Sequence, residues 1–288
     1  MRAVRPDSSV ASLPRNDSCR TVRCLVAALL LSGACGARAA DALGPARQRE
    51  ILREALHAFD QAVAVTREDP PRAGELYRQA AAGLLALRDA GVRNAALEYN
   101  LGNVYFRLGY LGRAILHYRR AQRLGGDDER LAANLRYARQ RVEPRITPSG
   151  QTRLTQQLLF WHYDTSPKER FWVLVACAAV GWPLLFLWLR RRSRPLLVAG
   201  LIAIALGLAA GASLRWQLDD EVRHPHAVVV ADQAYLRLGR GEGTDLALKQ
   251  PLGAGVELRI LQQRGDWVEV RLPNDQTGWL PAEAVERV

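Results

Sequence analysis

The sequence predicts a multidomain membrane protein: an all-α helical domain, a two-helix transmembrane hairpin and a small all-β barrel. Three observations carry this. Two charge-free apolar runs, Phe171 to Leu189 and Pro195 to Leu214, are separated only by Arg190-Arg191-Arg192-Ser193-Arg194. Helical periodicity with recurring small residues fills the chain before them. Short alternating apolar segments, broken by glycine-rich turns, fill the chain after them.

A helix crossing the hydrocarbon core needs about 20 predominantly apolar residues, so each run is long enough to span. Five connecting residues allow only a tight hairpin, placed over residues 169–217. Its arginine-rich tip belongs in the cytoplasm, because short basic loops resist translocation. The flanking regions, roughly 40–160 and 226–288, then share the opposite side. In a bacterial inner membrane that side is the periplasm. The alternative is a pair of buried helices in a soluble core, and continuous charge-free runs flanked by aromatics count against it.

The N-terminus fits this topology. Arg15, Arg20 and Arg23 precede an apolar stretch, Cys24 to Leu31, followed by small residues and Ala37-Arg38-Ala39. A basic region, a short apolar core and an A-x-A site are the order of a secretory signal peptide, here 1–39. Ser32-Gly33-Ala34-Cys35 offers a lipoprotein site instead, with the leucine one place too early. The residues before Arg20 are either a long basic region or a start placed too far upstream.

Net charge is +11, which invites a nucleic-acid reading. Divided by region it disperses: +4 over 1–40, +5 over 41–150, +4 over 151–225 and −2 over 226–288. Much of the excess is signal and membrane flank, and no nucleic-acid partner is expected. Cys19, Cys24 and Cys35 fall in the signal and Cys177 in the first span, so the exported domains hold no thiol for a disulfide or metal site.

The helical domain is placed at 40–144 and contains a 34-residue unit, Ala95 to Asp128. Helices are expected over about 95–108 and 112–124, broken at Gly109. Small residues (Gly102, Ala114, Ala121) recur where two helices must approach, and Leu101, Tyr105 and Tyr118 fill the space between. This unit resembles the tetratricopeptide repeat, whose signature is a helix pair of this length. The usual tryptophan near the start is Glu98 here, and the closing proline is Gly126. A degenerate copy precedes it: Ala73, Tyr77 and Ala80 repeat the spacing of Ala114, Tyr118 and Ala121 at an offset of 41 residues. Its first helix is expected over about 46–67. Asp127 or Asp128 can cap a further helix to about Arg141, closing the open apolar end. Pro144, Pro148 and Gly150 then open a linker, 145–168.

The resemblance implies a concave groove for an extended or helical peptide. Its groove positions fall on Tyr99, Asn100, Asn103, Phe106 and Arg107, with Arg130 and Asn134 from the next helix. Amides and guanidinium groups suit a peptide backbone or a carboxylate. Asn100 and Asn134 bonding neighbouring turns, with Phe106 in the core, is the structural alternative.

Beyond His224-Pro225-His226, strands are expected at Ala227–Ala231, Tyr235–Leu238, Val256–Gln262, Trp267–Leu272 and Thr277–Leu280. Turns fall at 239–243, 253–255 and 273–275. Gly265-Asp266-Trp267 and Thr277-Gly278-Trp279-Leu280 resemble the bacterial SH3 domain, which implies an SH3-like barrel over 226–288. Such domains in exported proteins often bind cell-wall peptides. Tyr235, Arg237, Trp267 and Trp279 are the surface candidates, with at least one tryptophan expected in the core.

No phosphate-binding loop, nucleophile elbow or H-E-x-x-H is present, and the five histidines are scattered. His224 and His226 are too few for a metal site. Glu98, Asp127 and Asp128 lie at expected helix ends, where solvation or capping accounts for them. No enzyme activity, catalytic residue, metal or cofactor is expected.

The whole order, together with Asn134-Leu135-Arg136-Tyr137-Ala138-Arg139, resembles the BatE-like proteins of the Bacteroides aerotolerance operon type. That resemblance implies protein partners with von Willebrand factor A domains and a MoxR-type ATPase system, in an envelope-stress or aerotolerance complex. Two functions follow as expectations. One is a membrane-anchored scaffold; the other is a peptidoglycan-binding or sensing protein acting through the barrel.

Overall fold

Asp69, Asn94 and Asp128 start three of the helices, each accepting a hydrogen bond from the backbone N–H of the first turn. In this computed structural model residues 43–126, 128–150, 165 and 167–288 are described. The signal peptide expected at 1–39, Asp127 and most of the 145–168 linker lie outside them.

Among the described residues five helices precede the apolar hairpin: α1 (Pro45–Val65), α2 (Pro70–Asp89), α3 (Ala95–Arg107), α4 (Leu111–Arg123) and α5 (Glu129–Arg139). Each packs on the next. Gly109 takes φ +84 in the turn after α3, a conformation that favours glycine. Ala73, Tyr77 and Ala80 are buried, as are Ala114, Tyr118 and Ala121. The recurring spacing marks the faces turned inward. Gly102 shows why a small residue is needed: a Cβ there would lie 2.5 Å from the Tyr118 ring.

The apolar runs form α6 (Pro167–Arg191) and α7 (Arg194–Arg223), packed against each other. Helix continues through Arg190 and Arg191, so only Arg192 and Ser193 make the turn, shorter than the five-residue tip expected. Arg192 adopts φ 51 there. Gly200 fits under Leu185, and Gly207 against Cys177. Helices from a soluble core would be mostly buried, yet only 6% of the apolar stretch of α6 and 22% of that of α7 is covered. Trp172, Trp182, Phe186 and Leu208 point outward. Both helices are long and apolar enough to cross a membrane.

Seven short strands follow: β1 (His226–Val229), β2 (Gln233–Ala234), β3 (Leu252–Gly253), β4 (Glu257–Arg264), β5 (Trp267–Arg271), β6 (Thr277–Pro281) and β7 (Val285–Arg287). Five form an antiparallel sheet in the order β6-β5-β4-β1-β7, and β2 pairs with β3. Opposed residues Ile260 and Val270, and Val268 and Leu280, turn into the core. The expected strand Tyr235–Leu238 is reduced to single bridges from Arg237 to Leu246 and Trp279. β2, β3 and β7 lie outside the expected strands, and Gly253, in an expected turn, pairs with Gln233 instead. Neither Trp267 nor Trp279 is fully buried, against the expectation of a core tryptophan. Aliphatic side chains, Val228, Leu236, Leu252 and Leu280 among them, fill that interior.

The helical and β units do not stand apart. The described residues from Gly44 onward form one compact unit, and one hydrophobic core runs from the α1–α5 helices into the β unit. Gly112 of α4 abuts β1 so closely that a Cβ would lie 2.5 Å from the Val229 carbonyl oxygen. Gly255 fits against Ile115 and Val142, and the Gly253 N–H donates to the Glu143 carbonyl at 3.1 Å. The chain around Pro144 and Pro148, expected to open a free linker, instead runs along the β unit, and the Ser149 side chain bonds Asp275. Charged contacts surround this seam. Glu257 accepts from Arg139 at 2.6 and 3.0 Å and pairs with Arg119 at 3.3 Å. Arg120 reaches Glu286 at 2.9 Å, and Asp220 at the end of α7 pairs with His224 and Arg259.

Candidate functional sites

A groove of about 640 Å³ opens among the helices. α3 supplies Asn103, Phe106 and Arg107, one turn apart along a single face. α5 adds Asn134 and Tyr137, with Arg141 just beyond it, and Phe59, Thr66 and Tyr77 close the other wall.

A fixed amide network forms its base. Asn103 Oδ1 accepts from the Tyr118 hydroxyl at 2.9 Å and from Asn134 Nδ2 at 3.0 Å. Asn134 Nδ2 also donates to the Tyr99 hydroxyl at 3.1 Å. Burial, with Tyr99 alongside, pushes the Tyr118 pKa up, so its phenol stays protonated and donates. These bonds fix which end of each amide faces which neighbour. Arg141 lies 4.6 Å from the Tyr137 ring centre and 5.1 Å from that of Phe106, which stacks its guanidinium on aromatic faces.

Of the seven residues expected in a groove, Asn103, Phe106, Arg107 and Asn134 line it together. Tyr99 stands behind them as a hydrogen-bond partner. Asn100 and Arg130 are not among the lining residues. Phe106 is half-buried, not core, and Asn134 bonds across helices instead of to its own turn. Tyr137 and Arg141 were missed, as were the wall residues Phe59, Thr66 and Tyr77.

The β unit carries a second cleft, of about 390 Å³, where Tyr235, Arg237 and Trp267 meet with Glu242 and Glu283. Trp279 is not in its lining; it pairs with Arg237 through the backbone, and Arg240 lies over its ring at 5.6 Å.

Glu98 is not a solvated helix end. It is buried, and His117 Nδ1 lies 2.6 Å from its carboxylate. The imidazole stacks on Tyr105 with ring centres 5.2 Å apart. Burial pushes the His117 pKa down, against the pull of Glu98 and with Arg120 and Arg88 adding to it. For Glu98, burial acts upward, but the hydrogen bond and charge of His117, with Arg120 and Arg88, hold the carboxyl below its usual range. The neutral ring therefore donates Nδ1–H to a carboxylate, satisfying two polar groups inside the helix pair. Sequence carries a signal for this. Glu98 shares the stripe of Leu101, Gly102 and Tyr105, and His117 that of Ala114, Tyr118 and Ala121.

His224 binds Asp220 at 3.0 Å, and among the described residues no cluster of three or more His, Cys, Asp or Glu could hold a metal ion. Comparison with protein families, curated proteins and solved structures finds no match for this chain.

Proposed function

We propose that the chain is a membrane-anchored scaffold of the BatE-like type. Tetratricopeptide helices present a peptide-binding groove, the α6–α7 hairpin anchors them in the inner membrane, and the SH3-like unit braces them on the periplasmic side. The observation that carries this reading is the groove itself. Aromatic rings (Phe59, Tyr77, Phe106, Tyr118 and Tyr137) stand there among fixed amide and guanidinium groups, an arrangement suited to recognising a peptide. The β unit packs on α4 through Leu111, Gly112 and Ile115, a different face from the Ala114-Tyr118-Ala121 stripe, so docking leaves the groove open. The partners that resemblance suggests are von Willebrand factor A-domain membrane proteins working with a MoxR-type ATPase.

A second reading has its own support. Tyr235, Arg237 and Trp267 with two glutamates form a cleft suited to a zwitterionic peptide of the cell wall. Capture from native membranes by the tagged full chain, with the bound proteins identified, distinguishes the two. The scaffold reading expects an envelope protein whose capture falls at least tenfold with Asn103→Ala plus Arg107→Ala. Capture unaffected by that pair, alongside binding to purified cell walls lost on Trp267→Ala, would favour the second.

A further inference from the structure

We infer that the turn between α6 and α7 binds an anionic phospholipid of the cytoplasmic leaflet, its phosphate held by Arg190, Arg191, Arg192 and Arg194 and its acyl chain by the helix flank beneath them. This rests on the reading of the hairpin as a membrane anchor with its tip in the cytoplasm. Charge is the first ground. Four guanidinium groups fall within five residues, and all four residues are exposed. Among the described residues none of them belongs to an ion pair. Neither helix offers relief, because no Asp or Glu occurs from Arg170 to Leu218. At about 1.5 Å per residue, Glu169 and Asp219 stand roughly 30 Å or more along the helices from the tip, a full hydrocarbon thickness away. Countercharge at the tip therefore comes from outside these helices.

What lies beneath the arginines is the second ground. Arg190 sits over the Phe186 ring, 5.8 Å from its centre, and Arg192 over the Trp188 ring at 5.5 Å. Each rests on an aromatic side chain four residues earlier, so its guanidinium is partly ordered before a ligand arrives. The outer flank at this level is apolar: Phe186, Leu189 and Val198 are 62%, 54% and 54% exposed. Between the helices there is no room, since a Cβ on Gly200 would lie 2.8 Å from the Leu185 side chain. Cations directly above an exposed apolar flank complement an amphiphile that carries phosphate above hydrocarbon, and guanidinium edges pair bidentately with phosphate. An acidic segment of a cytoplasmic protein would meet the arginines and leave that flank uncovered.

The test is native mass spectrometry of the detergent-solubilised full chain, titrated with phosphatidylglycerol, phosphatidylcholine or glycerol 3-phosphate. Phosphatidylglycerol should bind more tightly than phosphatidylcholine, which lacks the net charge, and than glycerol 3-phosphate, which lacks the acyl chains. Near an anionic surface one arginine is worth about fivefold in affinity, so Arg191→Gln with Arg194→Gln should weaken phosphatidylglycerol at least fivefold. Arg191→Lys with Arg194→Lys keeps the charge and should stay within roughly threefold of the parent chain. Lys168→Gln with Arg215→Gln, at the other end of the hairpin, should leave binding unchanged. The comparison of lipids on the parent chain decides even where the Gln pair fails to insert. Equal binding of phosphatidylglycerol and either control, or loss on the Lys168 and Arg215 pair with none at the tip, would overturn the lipid site and leave the anchor reading standing. So would a polyglutamate peptide that binds the tip more tightly than phosphatidylglycerol, which would give the arginines to an acidic protein. Release of the parent chain from native membranes by alkaline carbonate would overturn the anchor itself.

Discussion

Arg139 grips Glu257 through two hydrogen bonds, 2.6 and 3.0 Å long, across 118 positions of sequence and both apolar helices. A hairpin that leaves and re-enters on one side allows this contact, because it returns the chain to where it started. The regions before and after it then act as one body.

Removing one partner of that contact leaves the other charge partly buried among cations. Glu257→Gln should cost about 1.5–3 kcal/mol, the range for a hydrogen bond to a charged group. Denaturant unfolding of the detergent-solubilised chain measures it. A change below about 0.5 kcal/mol, the usual scatter of neutral surface substitutions, would show that the seam does not depend on Glu257.

Space at the seam is equally restrictive. Gly112→Leu should destabilise by at least about 1–3 kcal/mol, because even a Cβ meets the Val229 carbonyl at 2.5 Å. Gly74 in α2 is the control, with only the end of Arg78 within reach at 3.6 Å. Gly74→Ala should gain up to about 1 kcal/mol from helix propensity. Equal effects from the two substitutions would argue against close docking at Gly112.

Acid should loosen the same seam. Burial, with Arg259 and Arg119 near, lowers the His226 pKa to about 4. The folded state therefore disfavours the proton relative to an unfolded pKa near 6.5. The sign follows from linkage: between these values the unfolded chain binds more protons, so stability rises with pH. The contribution is complete above about pH 6.5 and is lost as pH falls toward 4. Burial acts upward on Glu257, but its hydrogen bond from Arg139 and the charges of Arg119 and Arg139 hold it low. Its stabilisation is present above the ordinary carboxylate range and is lost as pH falls through the folded value. Melting temperature should thus fall from pH 7 to 4, less steeply in His226→Gln. Identical profiles for the two would remove His226 from this account.

Insertion orientation gives a separate outcome. A reporter active only in the cytoplasm should work when inserted at Ser193 and fail when fused after Val288. Activity at Val288 would contradict the proposed topology.

Local periodicity made most of the helices and strands legible. The Ala-Tyr-Ala spacing locates α2 and α4, and alternation locates β4 and β5, to within a few residues. The tight packing of Gly102 under Tyr118 was readable too. Contacts between distant segments were not. Nothing local in Gly112, Gly253 or Gly255 separates a turn glycine from one that admits another backbone, and nothing local to Arg139 names Glu257 as its partner. The groove was half legible for the same reason. α3 supplies positions a repeat pattern can carry, whereas Tyr137, Arg141 and Phe59 join only once neighbouring helices stack. Glu98 and His117 each break an apolar stripe, which signals burial but names no partner.

The most direct measurement is a cross-link in native membranes. Arg120→Cys and Glu286→Cys replace side chains 2.9 Å apart on opposite sides of the hairpin in sequence. Native cysteines are changed to serine, and a protease site is inserted after Gly150. After treatment with a short bis-maleimide and cleavage, the two halves should stay joined on a denaturing gel, and should separate when either cysteine is omitted. Halves that separate despite both cysteines being labelled would contradict a single body built across the hairpin.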